Sequence, residues 1–292
     1  MVELRASRRE EVPRLKELWK LAFGDEDSYI DFFFERLYTP ERMVLLAEDG
    51  VPMTMLALLP MTFSNRDGEP ARMSYIYALA TAPEARLKGY GRQLLNYADH
   101  YARQGGADCI STVPAEPSLH RFFGTVGFHE CFSTRKVEFL RQKLPKAGEG
   151  DSISPAAPAE YNALRCGLLR GIPHLACADE LVEYQKGLSR MEGADIYLIS
   201  AAGVQGCAAA EYLNEETVLV KELIIAPEAM AHAAAQIAKA LPAVRYHFRT
   251  PAPWTGLPGS YIQPFAMMKW YDRAKQEAWG ADTNCYMGLA FD

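Results

Sequence analysis

Hydrophobic and polar positions follow two periods along the first half of the chain. Residues 2–5 read as a short strand, and residues 9–23 place Val12, Leu15, Leu18, Trp19 and Ala22 on one helical face before Gly24. Asp27 or Ser28 caps a second predicted helix through Tyr29, Phe32, Phe33 and Leu37, which must stop before Pro40. Apolar runs at 43–47 and 53–59 flank Asp49-Gly50, a pair suited to a tight hairpin turn. A further strand at 61–64 leads through a polar turn at 65–68 into the apolar, aromatic-rich run from Tyr75 to Ala80. A run of that kind predicts a strand buried on both faces, and Pro83 ends it. From Tyr90 the period becomes helical. Leu94, Leu95, Ala98, Tyr101 and Ala102 fall on one face, with Arg92, Asn96, Asp99 and Arg103 opposite and Gly105-Gly106 as the stop.

Residues 108–113 predict the next strand, Ser118 the N-cap of a short helix, and 132–140 the last strand of a first unit. A stretch rich in Pro, Gly and Ser follows, so the expected organisation is a domain at 1–143, a linker at 144–157 and a second domain at 158–292. The second half repeats the first in weakened form. Residues 195–212 echo 44–59, and strand 219–225 followed by Ala226-Pro-Glu-Ala229 echoes the central strand followed by Ala82-Pro-Glu-Ala85. Residues 244–249 predict that half's next strand, 250–259 a rigid loop, and 286–291 a closing strand. Trp254 in the loop is either a substrate wall or part of a surface connection.

Composition narrows the function. With 292 residues and 49% hydrophobic positions, the chain can bury substantial cores. No apolar run approaches the roughly 20 residues of a membrane helix, and the charged N-terminus lacks the apolar centre of a signal peptide. Six scattered cysteines without a C-x-x-C pair read as reduced thiols of a cytoplasmic protein. Six histidines without an H-x-x-x-H pair give no case for a metal. The net charge of −6 argues against a general nucleic-acid binder and is compatible with a cationic substrate such as an amine. A homo-oligomer is left open.

The chemistry concentrates between the central strand and its helix, at Arg86-Leu87-Lys88-Gly89-Tyr90-Gly91. Two glycines allow a tight turn and close approach of a ligand. The first helical N–H groups carry the positive end of the dipole, and Arg86, Lys88 and Arg92 add charge beside them. Together they form an anion site of pyrophosphate size. A P-loop fits poorly because Arg92 and Gln93 follow the last glycine, and a dinucleotide fingerprint because position 94 is Leu94.

This pattern resembles the GCN5-related N-acetyltransferase (GNAT) family, whose R/Q-x-x-G-x-G/A loop holds the pyrophosphate of acetyl-coenzyme A (acetyl-CoA). The resemblance implies an α/β (α+β) fold of two GNAT-like lobes, each a mixed, mostly antiparallel sheet flanked by helices. The second lobe is degenerate, because Met230 to Ala235 stands where the loop should be and lacks the arginine and both glycines. It further implies that Leu79, Ala80 and Thr81 meet the pantetheine and thioester, while Arg86, Leu87, Lys88, Gly89, Tyr90, Gly91 and Arg92 hold the pyrophosphate. The family's second signature, Y-x-x-x-G-F, matches at Gly127-Phe128, but Phe123 stands at the tyrosine position. In many members that tyrosine protonates the leaving thiolate, and phenylalanine cannot.

The catalytic groups are therefore open. Tyr75, Tyr77 or a bound water could act as acid. Glu211 and Glu222 are either facing a cleft or simply paired, and Asp292 is a candidate base because some tandem members use the terminal carboxylate. The expected function is acetyl transfer from acetyl-CoA to an amine of a small molecule or peptide. The alternatives are a non-catalytic acetyl-CoA sensor and a structural partner protein that binds no cofactor.

Overall fold

The computed structural model describes residues 1–64, 70–279 and 284–291, so the expected turn at 65–68 lies outside the described residues. The chain divides into two compact units. The first takes Met1–Thr62, Ala71–Glu130 and Ala266–Gly280, and the second takes Phe63–Pro70, Cys131–Phe265 and Ala281–Asp292.

In the first unit, β1 (Val2–Ala6) and a 3-10 turn (Arg9–Glu11) precede α1 (Val12–Phe23) and α2 (Asp27–Arg36). Gly24, at φ 75, ends α1 as its pattern requires. β2 (Met43–Glu48) and β3 (Val51–Ser64) form the expected hairpin, with Asp49 and Gly50 at φ 51 and 80. Pro60 does not divide β3 into the two strands that the sequence suggests. The β2 ladder reaches only Ala57, so the missing N–H of Pro60 falls beyond it. β4 (Ala71–Thr81), α3 (Tyr90–Gln104), β5 (Cys109–Thr112) and α4 (Pro117–Gly124) follow. Glu116, not Ser118, occupies the N-cap of α4, because Pro117 already starts the helix.

The strand order is β1-β2-β3-β4-β5, with β1, β2 and β3 antiparallel and β4 parallel to β5. The other edge of β5 is covered by a segment from far along the chain. Met267 to Trp270 pairs antiparallel with Thr112 to Cys109. Leu94, Leu95, Ala98 and Ala102 of α3 close the core over Val44, Leu56, Ile76 and Ile110, joined by Phe123, Phe128 and Met267.

The second unit contains most of β6 (His129–Leu140), then β7 (Ser152–Pro155), α5 (Pro158–Leu168), β8 (His174–Ala176) and α6 (Asp179–Met191). It continues through β9 (Ile196–Ala201), β10 (Val204–Asn214), β11 (Thr217–Ile224), α7 (Met230–Ala240) and β12 (Arg245–Pro251). β13 (Tyr261–Trp270) begins here and ends in the first unit, which also takes α8 (Arg273–Trp279). The strand order is β6-β12-β11-β10-β9-β7. From Cys131 onward β6 belongs to this unit, because it pairs with β12 from Leu140↔Arg245 to Thr134↔Pro251. β7 lies inside the stretch read as a linker and pairs with β9.

Three helices, α5, α6 and α8, are not foreseen by the sequence pattern, although Pro158 and the acidic pair Asp179-Glu180 mark the first turns of α5 and α6. The expected closing strand at 286–291 is absent. Among the described residues Tyr286 makes an isolated bridge to His174, and Met287, Leu289, Ala290 and Phe291 are buried outside any strand. An apolar run signals burial, and helices or loops can supply that as well as a sheet.

The internal repeat is visible in the element order. β9 and β10 pair antiparallel as β2 and β3 do, and β11 connects through α7 to a parallel β12 as β4 connects through α3 to β5. Both central strands end in a 3-10 turn, Pro83–Ala85 and Pro227–Ala229. Among the described residues, no helix is long and apolar enough to cross a membrane.

Candidate active site

The site is built where β4 leaves the sheet. Its parallel ladder with β5 stops at Ile76↔Thr112, while β4 runs on to Thr81. Ala78 sits at φ 52, a left-handed conformation that is rare for a residue with a Cβ and interrupts the regular pleat. Tyr77 to Thr81 therefore present backbone groups beyond the β5 ladder, where an extended ligand can pair with them. The strand end is fixed from the other side. Thr54 Oγ1 donates to Ala80 O at 2.7 Å and lies 2.9 Å from Thr81 Oγ1.

The loop follows directly. Leu87 (φ 64) and Gly89 (φ 77) are left-handed, and Gly89 is the N-cap of α3. The first bond of the helix runs from Gln93 N to Gly89 O at 3.1 Å. The N–H groups of Tyr90, Gly91 and Arg92 precede it and have no intrahelical acceptor. A Cβ placed on Gly91 would meet only Thr81 Oγ1, at 3.8 Å, so there is room beside the Gly91 Cα.

The three cations differ in their engagement. Lys88 Nζ donates to Glu48 Oε2 at 3.2 Å and lies over the Tyr90 ring, and Tyr90 OH donates to Glu48 Oε1 at 2.8 Å. These bonds hold the Glu48 carboxyl below the usual carboxylate range, the Tyr90 hydroxyl being the larger cause and Lys88 the next. Arg92 turns toward α4, where it reaches Thr125 Oγ1 at 3.0 Å and the face of Phe122. Arg86 is exposed and extended, without a side-chain hydrogen bond or ion pair among the described residues. Glu48 and Thr54 were invisible as site residues, since nothing local in the sequence shows which loop they touch.

Phe123 is buried in the core of the first unit, its ring 5.5 Å from that of Phe128. Tyr75 is also buried, and its ring stacks at 6.3 Å on Tyr77. Tyr77 is half-buried beside the irregular Ala78, with its hydroxyl 2.8 Å from that of Tyr29 on α2. Asp292 lies outside the described residues. Glu211 and Glu222 are both buried and paired within the second unit. Glu211 meets Lys221 at 3.0 Å, and Glu222 takes Arg165 at 2.7 Å with Tyr161 and Tyr286 hydroxyls at 2.6 and 3.2 Å.

The repeat allows the same place to be inspected in the second unit. Matching Ala226 to Ala82 puts Glu222 where Ala78 stands, and that position is filled by the Arg165 ion pair. The start of α7 is covered as well. Leu257 and Trp254 pack against the cluster holding Ala229 and Met230, and a Cβ on Gly256 would collide with Pro227 O. Trp254 thus packs against a core.

The first unit's features fit a coenzyme A thioester. An open row of N–H groups suits a diphosphate, and a free strand edge suits the amide-bearing pantetheine arm. Among the described residues, no group of three or more His, Cys, Asp or Glu side chains is placed to hold a metal ion.

Known proteins resemble this chain in sequence or in fold. Residues 3–128 match the sequence model of the acetyltransferase (GNAT) domain. An uncharacterised N-acetyltransferase of Bacillus subtilis (strain 168), YhfO, is 35% identical over 80 residues, which is 27% of this chain. The match spans about half (52%) of that curated relative's length. A GCN5-related N-acetyltransferase from Anabaena variabilis superposes with a TM-score of 0.76 at 13% identity, over 93% of this chain and 73% of its own. A probable N-acyltransferase from Enterococcus faecalis gives 0.69 at 13% identity, over 92% and 72%. At such identities the two structures show the fold, while the sequence match is confined to residues 3–128. Residues 3–128 are thus similar in sequence to the acetyltransferase (GNAT) domain, and the chain shares the fold of GCN5-related N-acetyltransferases.

Proposed function

We propose that this protein transfers the acetyl group of acetyl-CoA to an amine of a small molecule or peptide, using the first unit alone. The observation that carries the reading is the junction of β4 and α3, where a strand freed beyond Ile76 runs into a loop and a helix start whose leading N–H groups have no intrahelical acceptor. The N–H groups of Tyr90, Gly91 and Arg92, with Arg86, bind the diphosphate. Leu79, Ala80 and Thr81 align the pantetheine and thioester along β4. Bound there, acetyl-CoA supplies the activated acyl group.

The chemistry asked of the chain is modest. A neutral amine attacks the thioester carbonyl, the C–S bond breaks, and the amine proton passes to water. A thiol of pKa about 8.5 leaves without full protonation, so the absence of a hydroxyl at Phe123 is compatible with turnover. Tyr77 is better placed than Tyr75 to assist, since its hydroxyl is half-buried and already hydrogen-bonded to Tyr29. The test is release of coenzyme A thiol from acetyl-CoA across a panel of amines. Tight binding of acetyl-CoA with no product from any amine would favour the sensor, a reading that the buried Phe123 supports.

A further inference from the structure

Glu48 ends β2, on the far side of the hairpin from the anion loop in sequence, and yet it is the residue that the loop's side chains share. Its backbone is held on both sides, paired with Val2 of β1 and with Val51 of β3. From this fixed point its two carboxylate oxygens take Tyr90 OH at 2.8 Å and Lys88 Nζ at 3.2 Å. The two contacts are not equivalent. The Lys88 and Glu48 side chains are 45% and 32% exposed, and such an ion pair alone contributes little. Tyr90 is 8% exposed, and its bond to the carboxylate is charge-assisted.

The placement of Tyr90 gives that bond its consequence. It stands between Gly89 and Gly91, where the backbone loses the most freedom on being fixed. The N–H groups that must face a diphosphate belong to this tripeptide and to Arg92. Tyr90 is its one side chain, and Glu48 anchors that side chain to the sheet. A carboxylate near an anion site is unfavourable unless compensated, and Lys88 compensates it.

We infer that Glu48 is a positioning residue for cofactor binding, which locks Tyr90 so that the N–H row at the start of α3 stays aimed at the diphosphate, with Lys88 neutralising the carboxylate. This rests on the proposed acetyl-CoA site. Lys88 then acts chiefly through Glu48, and Glu48 does not merely withhold Lys88 from the phosphates.

The experiment is calorimetric titration of coenzyme A into the wild type, Glu48→Ala, Glu48→Gln, Tyr90→Phe and the Glu48→Ala/Tyr90→Phe double variant, each checked for an unchanged melting transition. Glu48→Ala and Tyr90→Phe are each expected to weaken binding about tenfold, the scale of one charge-assisted hydrogen bond. The double variant should be no weaker than either single one, and Glu48→Gln, which keeps an acceptor for Tyr90, should recover most of the loss. Amide hydrogen exchange should quicken at Gln93, whose N–H closes the first turn on Gly89 O, in Glu48→Ala while the later turns of α3 stay protected. Glu48→Ala binding as tightly as the wild type, or more tightly because Lys88 is released, overturns the inference and leaves the site itself standing. A wild type that does not bind coenzyme A overturns the proposed function, and this role of Glu48 with it.

Discussion

Lys269, near the end of β13, donates to Asp99 on α3 and to Val126 O at 3.0 Å, tying the returning segment to the first unit's helix layer. Asp99 is largely buried, and burial raises its carboxyl pKa even with Lys269 beside it. The contact lies next to the pairing of Met267 to Trp270 with β5. The first unit is therefore completed by residues far beyond position 143.

A chain ending at Lys143 is expected to leave the β5 edge bare and Asp99 without its cation, and to be unfolded or aggregated. Lys269→Ala in the full chain should cost about 1–2 kcal/mol. That is less than the about 3–5 kcal/mol of a fully buried pair, because the Lys269 side chain is 26% exposed. Urea titration of the variant checks the magnitude. A truncated chain that folds with native near-UV circular dichroism would refute the requirement.

One acetyl-CoA should bind per chain. The start of α7 is covered by Trp254 and Leu257, and the position matching Ala78 holds the Glu222–Arg165 pair. Two equivalent sites in calorimetry would contradict this.

Gly91→Ala separates fold from binding. The added Cβ meets only Thr81 Oγ1 at 3.8 Å, so stability should change little, while approach of a phosphate to the N–H row is obstructed. Gly91→Val should weaken binding by at least ~2 kcal/mol. Arg86→Ala should also weaken binding, since Arg86 is exposed at the loop and has no side-chain partner among the described residues. An unchanged dissociation constant in folded Gly91→Val would move the site elsewhere.

Phe123→Tyr restores the hydroxyl at the family's tyrosine position. Phe123 is 4% exposed among Phe122 and Phe128, so the new group needs a partner or a bound water. If a missing acid limits the rate and the geometry is retained, turnover should rise toward the about 10²–10⁴-fold that general acids supply. A measurable wild-type rate left unchanged would show that thiolate protonation is not limiting.

His174 should make stability depend on pH. It is buried, its Nδ1 lies 2.7 Å from Ile172 O, and burial lowers its pKa from the ordinary 6.5. The folded state holds it neutral, whereas the unfolded chain takes up a proton below pH 6.5. Stability is thus fully present above that pH and falls as the pH drops from it toward the lowered folded value. Denaturant titrations between pH 8 and 5 (roughly the range where histidine titrates) should show the slope in the wild type and a flatter profile in His174→Asn.

Short-range patterns in the sequence determined much of the first unit. Asp49-Gly50 fixed a hairpin because few residue pairs accept two left-handed conformations, and both are seen. The glycines after the central strand located the loop for the same steric reason, and the 3.6-residue period located α3. The Ala-Pro-Glu-Ala repeat anticipated the matching turns of the second unit. Tertiary structure decided what local pattern cannot encode. β13 pairs with β5 across more than half the chain, and strand pairing depends on which edges remain open once the rest has folded. Lys88 and Arg92 look alike in sequence as loop cations, yet one turns to Glu48 and the other to Thr125, because side-chain partners come from whichever elements packing brings near. The run at 286–291 is buried yet forms no strand among the described residues, since hydrophobic burial is non-directional and hydrogen-bond pairing is not.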